Sequence, residues 1–241
     1  MYKKLKEIYI QPKTISVVIP CIPKHVQHLE GLLDSIQSQT LLPQAVIIAL
    51  SETNNQECTK LQKQFQKLYH NFKIIFNCVE HKAYAAENRN RGASVVKTDY
   101  ITFIDADDLM NPNKIMTIVK LFNEQDTDAI LHTLNDKKNT HKIISSDKLR
   151  SILPKNHTNY IRHSLVGLNN RIHHGHISIK TDVYNKYKQN ENLKYRRGQD
   201  SEFVKRLLNN GINIIIVDSD LTRYRQHLSS EKFKFIYNMF F

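Results

Sequence analysis

Three carboxylates stand within four positions at Asp105-Ala106-Asp107-Asp108, directly after the β-branched and aromatic run Tyr100-Ile101-Thr102-Phe103-Ile104. Such a run predicts a strand buried on both faces, with the acids at its mouth. Like charges this close raise the cost of ionising one another. A divalent cation removes that cost: carboxylate oxygens suit Mg²⁺ or Mn²⁺, and a cation held by one or two of them keeps positions open for phosphate oxygens. An acidic loop that caps the following helix is the competing reading, and the tetrapeptide alone favours neither. Arg89, Asn90 and Arg91 carry donors suited to phosphate or to these carboxylates, although for Arg91 a solvated helix face is the preferred expectation. His173, His174 and His176 invite a metal, but on a strand they split between two faces, so surface or pocket histidines are expected.

The elements that must position these groups follow from the apolar pattern. Ile15-Ser16-Val17-Val18-Ile19-Pro20 predicts a central strand, and Val26, Leu29, Leu32, Leu33 and Ile36 recur at helical spacing between His25 and Gln39. Ala45 to Leu50 is a second buried strand, completing a βαβ unit and hence a parallel sheet with a right-handed crossover. Ser51-Glu52-Thr53 then falls at a strand's C-terminal end, where open α/β sheets bind ligands. Leu61, Phe65 and Leu68 mark the next helix, Lys73 to Cys78 a third strand, and Ala85 to Val96 a helix that leads into the acidic strand. Beyond it, Asn111-Pro112 opens a helix through Phe122, and Ala129 to His132 reads as a short strand. Residues 133–170 lack a steady period and predict loops. His173 to Lys180 alternates like a strand, Gly198 to Leu208 begins a helix that ends at Gly211, and Ile212 to Val217 is a last strand. The aromatic tail from Phe233 to Phe241 is expected to pack on the protein, with a second subunit or a membrane surface as alternatives.

The bulk properties of the 241-residue chain fit one buried α/β domain, with 40% hydrophobic and 24% charged residues. No stretch has the length of a membrane span, and residues 1–14 lack the apolar core of a secretory signal, so a cytoplasmic protein, soluble or peripherally membrane-associated, is expected. Cys21, Cys58 and Cys78 are odd in number and show no metal or redox spacing, which favours free thiols. The net charge of +12 is concentrated late: residues 1–141 hold 17 basic and 15 acidic side chains, residues 142–241 hold 18 and 8. A basic face can meet anionic lipid, an acidic acceptor or a diphosphate. No helix-turn-helix, zinc-finger or RNA-binding signature accompanies it, so specific nucleic-acid binding is not expected. The first strand-to-helix turn, Pro20-Cys21-Ile22-Pro23-Lys24, has no glycine, which excludes a dinucleotide fingerprint or P-loop there and leaves phosphate to metal and side chains.

Taken in order, Val17 to Pro20, Leu32 to Thr40, Arg89 to Gly92, Asp105 to Asp108, Gly198 to Asp200 and Tyr224 to His227 resemble the motifs of family 2 glycosyltransferases. The resemblance spans residues 15–230 and implies the GT-A fold, a single Rossmann-like domain over residues 1–241 with a mainly parallel central sheet flanked by helices. About residues 1–110 would bind the nucleotide sugar, and about 111–241 the acceptor. It implies a UDP-sugar donor, Mn²⁺ or Mg²⁺, and an acceptor hydroxyl on a glycan, a lipid-linked or a protein acceptor, with peripheral membrane contact or a homodimer as further possibilities. On this resemblance Pro20, Ile22 and Glu52 meet the uridine, and Arg89 lies near the nucleotide. Asp105 and Ala106 lie at the ribose side of the motif. Asp107 would hold the metal, Asp108 and His227 would assist, and Arg225 would close over the diphosphate. Asp200 matches the catalytic base, for which an ordinary helix N-cap is the alternative.

Two departures stand out: Ser51-Glu52 replaces the usual aspartate pair, and Gln199 replaces the glutamate before the base. One carboxylate base and no covalent nucleophile imply a single displacement with inversion. A sugar nucleotidyltransferase and a degenerate binding domain of the same fold are the alternatives.

Overall fold

The computed structural model describes residues 13–132, 143–145, 177–192, 199–217 and 219–223. Four parallel strands form the first half of the sheet in the order β3 (Lys73–Cys78), β2 (Ala45–Leu50), β1 (Ile15–Cys21), β4 (Tyr100–Phe103). Their register sets Val17 beside Val46 and Val18 beside both Ile47 and Phe103. Beyond β4 the sheet continues through β8 (Ile177–Lys180), antiparallel to both neighbours, then β6 (Ala129–His132), β9 (Ile214–Val217) and the short β7 (Ile143–Ile144). A separate two-stranded ladder pairs β5 (Leu109–Met110) with β10 (Thr222–Arg223).

Because strand side chains alternate, the sheet feeds two cores. Val17, Ile19, Val46 and Ile48 point to one face, covered by α1 (Leu29–Gln37), α2 (Asn55–Leu68) and α4 (Lys114–Glu124). Val18, Ile47, Ile101 and Phe103 point to the other, covered by α3 (Ala85–Ser94), α5 (Thr181–Tyr187) and α6 (Gln199–Asn209). On that second face the Phe103 ring lies 5.0 Å from Tyr184, which in turn meets Phe203 edge-on at 5.7 Å. Gly92 brings α3 close to the sheet: a Cβ there would sit 2.6 Å from Val18 Cγ1 and 3.3 Å from Ala49 Cβ.

The expected strands and the parallel first half of the sheet are present, with differences that have local causes. The helix expected from His25 to Gln39 is a 3₁₀ helix (Pro23–His28) followed by α1, since Pro23 starts a turn before the apolar stripe begins. Leu68, expected on the apolar face of α2, is exposed at the helix's last position. The free-thiol expectation is wrong for two of the three cysteines: Cys58 and Cys78 form a disulfide, their Cα atoms 6.1 Å apart. The βαβ path explains the pairing. α2 starts at the end of the sheet where β2 stops and β3 climbs back to that same end, so the helix's first turn meets the strand's last residue. Disulfides are a mark of oxidising compartments, so the cysteines give no support to a reducing one. Cys21 is a free thiol whose burial pushes its pKa up to about 12, leaving it inert. Among the described residues no helix is long and apolar enough to cross a membrane. The aromatic tail, most of residues 133–170 and His173, His174 and His176 lie outside the described residues.

Candidate functional site

The C-terminal ends of β1, β2 and β4 open into a cleft of about 560 Å³. Its lining includes Pro20 and Ile22 from the end of β1, Glu52 after β2, Arg89 from α3, and Asp105, Ala106 and Asp107 after β4. Seven of the residues singled out in the sequence thus meet in one place, at the edge where a parallel sheet binds ligands.

Each is held by its element. The β4 ladder ends where the Ile104 N–H donates to the Val18 carbonyl at 3.2 Å, and the acidic turn closes with the Asp108 N–H donating to the Asp105 carbonyl at 3.1 Å. Glu52 adopts φ 57°, the left-handed region that non-glycine residues enter at a cost. It is held there by hydrogen bonds on either side, from its own N–H to the His81 carbonyl at 3.1 Å and from the Thr53 N–H to the Val79 carbonyl at 3.0 Å. Asn88 of α3 donates to the Cys21 carbonyl at 3.2 Å, tying the helix to the end of β1.

Arg89 is 3% exposed and its Nη2 donates to Asp105 Oδ1 at 2.6 Å. Its Nε and Nη1 are buried and have no hydrogen-bond partner among the described residues. Buried donors of a charged group that stay unsatisfied are costly, so this side chain is suited to an acceptor that enters the cleft. Arg91, expected on a solvated face, instead donates to the carbonyl and side chain of Asn77 at 3.0 and 2.9 Å and to Asn88 Oδ1 at 2.5 Å. It fastens α3 to β3, and a helix pattern alone cannot reveal a partner on a neighbouring strand. Asn90 faces the opposite way, linking α3 to Gln189, Glu191 and Tyr184.

Among the described residues no group of three His, Cys, Asp or Glu side chains gathers as a metal cage. The cleft does offer the hard carboxylates of Asp105 and Asp107. Mg²⁺ or Mn²⁺ at a nucleotide site takes one or two carboxylates and completes its shell with phosphate and water, so this donor set fits such a cation. Asp108 is 4% exposed and absent from the cleft wall. Asp200 lies in the first turn of α6, buried and likewise off the described wall, with α6 packed through Phe203 against Tyr184. Arg225 and His227 lie outside the described residues. Arg223, two positions before Arg225, pairs with Leu109, the residue after Asp108, so the chain enters that segment from beside the acidic turn.

The cleft also holds residues that the sequence did not single out: His25, Lys82, Tyr84 and Asn88. Nothing in the spacing announced Lys82 and Tyr84, because the loop from 79 to 84 is bonded to the turn at Glu52 and Thr53, while His25 and Asn88 lie on helices whose polar positions carry no such mark. Lys114 did leave a signal. It shares a helix face with Ile118 and Leu121, and it is fully buried behind the acidic turn.

Comparison with known proteins agrees with this architecture. An uncharacterised glycosyltransferase of Methanocaldococcus jannaschii is 25% identical over 215 residues, which cover 88% of this chain and 70% of that protein. Two solved structures share the fold. A mannosyltransferase of Pyrobaculum calidifontis, in complex with GDP-mannose and Mn²⁺, superposes with a TM-score of 0.65 at 11% identity, over 92% of this chain and 59% of that one. TarS of S. aureus, in complex with UDP-GlcNAc, superposes with a TM-score of 0.62 at 16% identity, over 90% of this chain and 60% of that one. The chain therefore spans about 60% of the length of these solved chains. Residues 16–188 match glycosyl transferase family 2, and with the sheet order, the acidic strand end and the cleft described above the chain belongs to that family and carries its GT-A fold.

Proposed function

We propose that the protein is a metal-dependent inverting glycosyltransferase that moves a sugar, hexosyl or N-acetylhexosaminyl, from a UDP-sugar to an acceptor hydroxyl. The observation that carries this reading is the convergence of Glu52, Arg89, Asp105 and Asp107 on one cleft at the carboxyl ends of parallel strands. Glu52 on the cleft wall would accept the uracil imide N–H. Arg89 fixes Asp105 and presents two buried donors, suited to the oxygens of a nucleotide. Asp107, with Asp105, would hold Mn²⁺ or Mg²⁺, and a cation bound there would neutralise charge on a departing diphosphate. Arg225 and His227, which follow β10 in the sequence, would add positive charge that favours a departing diphosphate.

Asp200 is assigned the acceptor's proton. As the acceptor oxygen attacks the anomeric carbon, its proton passes to the Asp200 carboxylate and the bond from that carbon to the diphosphate oxygen breaks, the electron pair leaving with the diphosphate. A single in-line displacement inverts the anomeric centre. The mannosyltransferase complex with GDP-mannose and the TarS complex with UDP-GlcNAc support a nucleotide-sugar donor and differ in base and sugar. Glu52 is the residue on which the choice of uracil rests here.

Incubation with a panel of UDP- and GDP-sugars and Mn²⁺, followed by measurement of released nucleotide, tests the reading. UDP release that is abolished by a chelator is the expected result. Pyrophosphate release from a nucleoside triphosphate and a sugar phosphate would assign a nucleotidyltransferase instead, and no release from any donor would leave a binding domain.

A further inference from the structure

Arg89 of the donor cleft and Asp200, the proposed base, stand on different helices, α3 and α6, and the segment from Tyr187 to Glu191 is hydrogen-bonded to both. From the α3 side, Asn90, the neighbour of Arg89, uses every hydrogen-bonding position of its amide. Its Oδ1 accepts from the Gln189 N–H at 2.9 Å and from the Tyr184 hydroxyl at 2.8 Å, and its Nδ2 donates to the Gln189 carbonyl at 2.9 Å and to Glu191 Oε1 at 2.7 Å. From the α6 side, Arg206 donates through Nη1 to the Tyr187 carbonyl and through Nη2 to the Lys188 carbonyl, both at 2.9 Å. These belong to the last residue of α5 and its C-cap, where helical carbonyls have no helical donor left. Glu202, one turn earlier on α6, holds the same guanidinium at Nε and Nη2, at 2.7 and 3.3 Å.

Packing does not call for this arrangement. The contacts of Tyr184 with Phe103 and Phe203 already seat α5 and α6 on each other and on the sheet. A Glu–Arg pair one turn apart on a helix surface contributes only about 0.3–0.5 kcal/mol. What the polar contacts add is direction: aromatic faces can slide, whereas a guanidinium that donates to two successive carbonyls and a carboxylate fixes a helix both in rotation and along its axis. Arg206 lies about 9 Å beyond Asp200 on the same helix, so what fixes one end fixes the other. We infer that Arg206 is a positioning residue for the transfer step: with Asn90 it bridges α3 to α6 through residues 187–191 and holds Asp200 in place relative to the donor cleft. This rests on the function proposed above, in which Asp200 takes the acceptor's proton. The bridge ends on the helix of the base, whereas the donor-binding side chains stand on α3 and after β1, β2 and β4, so its loss is felt in turnover and not in donor binding.

Turnover and Mn²⁺-dependent UDP binding are measured for the wild type, Arg206→Met, Asp200→Asn and the double variant, together with amide hydrogen exchange at Gln189. Arg206→Met is expected to lower kcat by roughly 10–100-fold, as a displacement of about 1 Å at a reacting group does, with UDP affinity within roughly threefold of the wild type. In the Asp200→Asn background the same change is expected to cost less than roughly threefold, because residues that act as a unit are not additive. An equal fall in both backgrounds would overturn the inference, and so would a wild-type kcat in Arg206→Met or a loss of UDP affinity as large as the loss of kcat. If the wild type transfers no sugar, or Asp200→Asn keeps near-normal turnover, the functional reading fails and the positioning role with it. The bridge is then judged by exchange alone: the Gln189 amide should exchange roughly tenfold faster in Arg206→Met, and an unchanged rate would show that Arg206 and Asn90 do not act together. Should Arg206→Met not fold, Arg206→Lys keeps the stem and the charge but loses the fork, and the same pattern is expected at smaller amplitude.

Discussion

Replacing Gly92 with alanine probes how closely α3 must lie on the sheet. The new methyl would begin 2.6 Å from Val18 Cγ1, where ordinary carbon contacts lie at about 3.5–4.0 Å, so helix and strand must separate by about 1 Å. Val18 cannot turn aside cheaply: it is fully buried at the centre of the parallel sheet and β-branched. Overpacking of this kind costs about 1–3 kcal/mol, and alanine returns about 1 kcal/mol of helix propensity, for a net loss of about 1 kcal/mol. In a domain of this size that lowers Tm by about 2–4 °C. The function is expected to suffer more than the stability. Arg89 lies one turn before Gly92, and a full outward shift would stretch its 2.6 Å bond to Asp105 to about 3.6 Å, beyond hydrogen-bond range. Urea unfolding and UDP calorimetry on Gly92→Ala, Val18→Ala and the pair measure both effects. Removing the opposing methyl in the double variant is expected to restore part of the loss, with a coupling of roughly 0.5–1 kcal/mol. A Gly92→Ala protein as stable as the wild type, with no coupling to Val18, would refute the close-approach argument.

Asp200→Asn is expected to lower turnover by roughly 10²-fold with UDP binding retained, and near-normal turnover would reduce Asp200 to a helix-capping acid. Asp107→Ala should abolish the Mn²⁺-dependent part of UDP affinity, so calorimetry showing undiminished affinity would count against a metal at this carboxylate. Glu52→Gly should raise stability by up to about 1 kcal/mol by relieving the left-handed backbone, while weakening UDP binding roughly tenfold. A destabilised Glu52→Gly protein would show that the 57° angle carries no strain. Burial raises the Asp99 pKa, but the Thr14 N–H at 2.8 Å, Lys13 and the Thr14 hydroxyl outweigh it and hold the carboxyl below its ordinary value. Its stabilisation is therefore fully present above the unfolded value of 3.8 and is lost as pH falls through the folded one. Wild type should exceed Asp99→Asn in urea resistance at neutral pH, with the gap narrowing in acid; a gap independent of pH would exclude the carboxylate as its source.

The parts of the fold that were legible in the sequence are those decided within a single element. Runs such as Val17 to Ile19, Val46 to Leu50 and Ile101 to Ile104 are buried on both faces of the sheet, and that demand writes a nearly continuous apolar stretch into the chain, with Thr102 the one polar residue among them. The acids after β4 and Glu52 after β2 were legible for the same reason, since each directly ends a readable strand. What the pattern could not carry were partners chosen by tertiary packing. Cys58 finds Cys78 across a helix and an edge strand, Arg91 finds Asn77, and Tyr84 reaches the cleft on a loop bonded to the turn at Glu52. Lys114 lies between the two cases. Its place on an apolar helix face was written in the spacing, but its partner, the Thr222 hydroxyl far along the chain to which its amine donates, was not.

That distance gives the molecule an order of assembly. Thr222 follows Lys114 by 108 residues, and β10, which pairs with β5, follows the rest of the described sheet in the chain. At a translation rate of roughly 5–20 residues per second, the acidic turn waits roughly 5–20 s after Lys114 is made before Thr222 is even synthesised. During that interval the first four parallel strands have all been made, yet the Lys114 amine lacks its hydroxyl and β5 lacks its ladder. A nascent chain can therefore raise the walls of the cleft early, but the ladder beside the acidic turn closes late, and a chain that stops before Thr222 carries the first four strands without it.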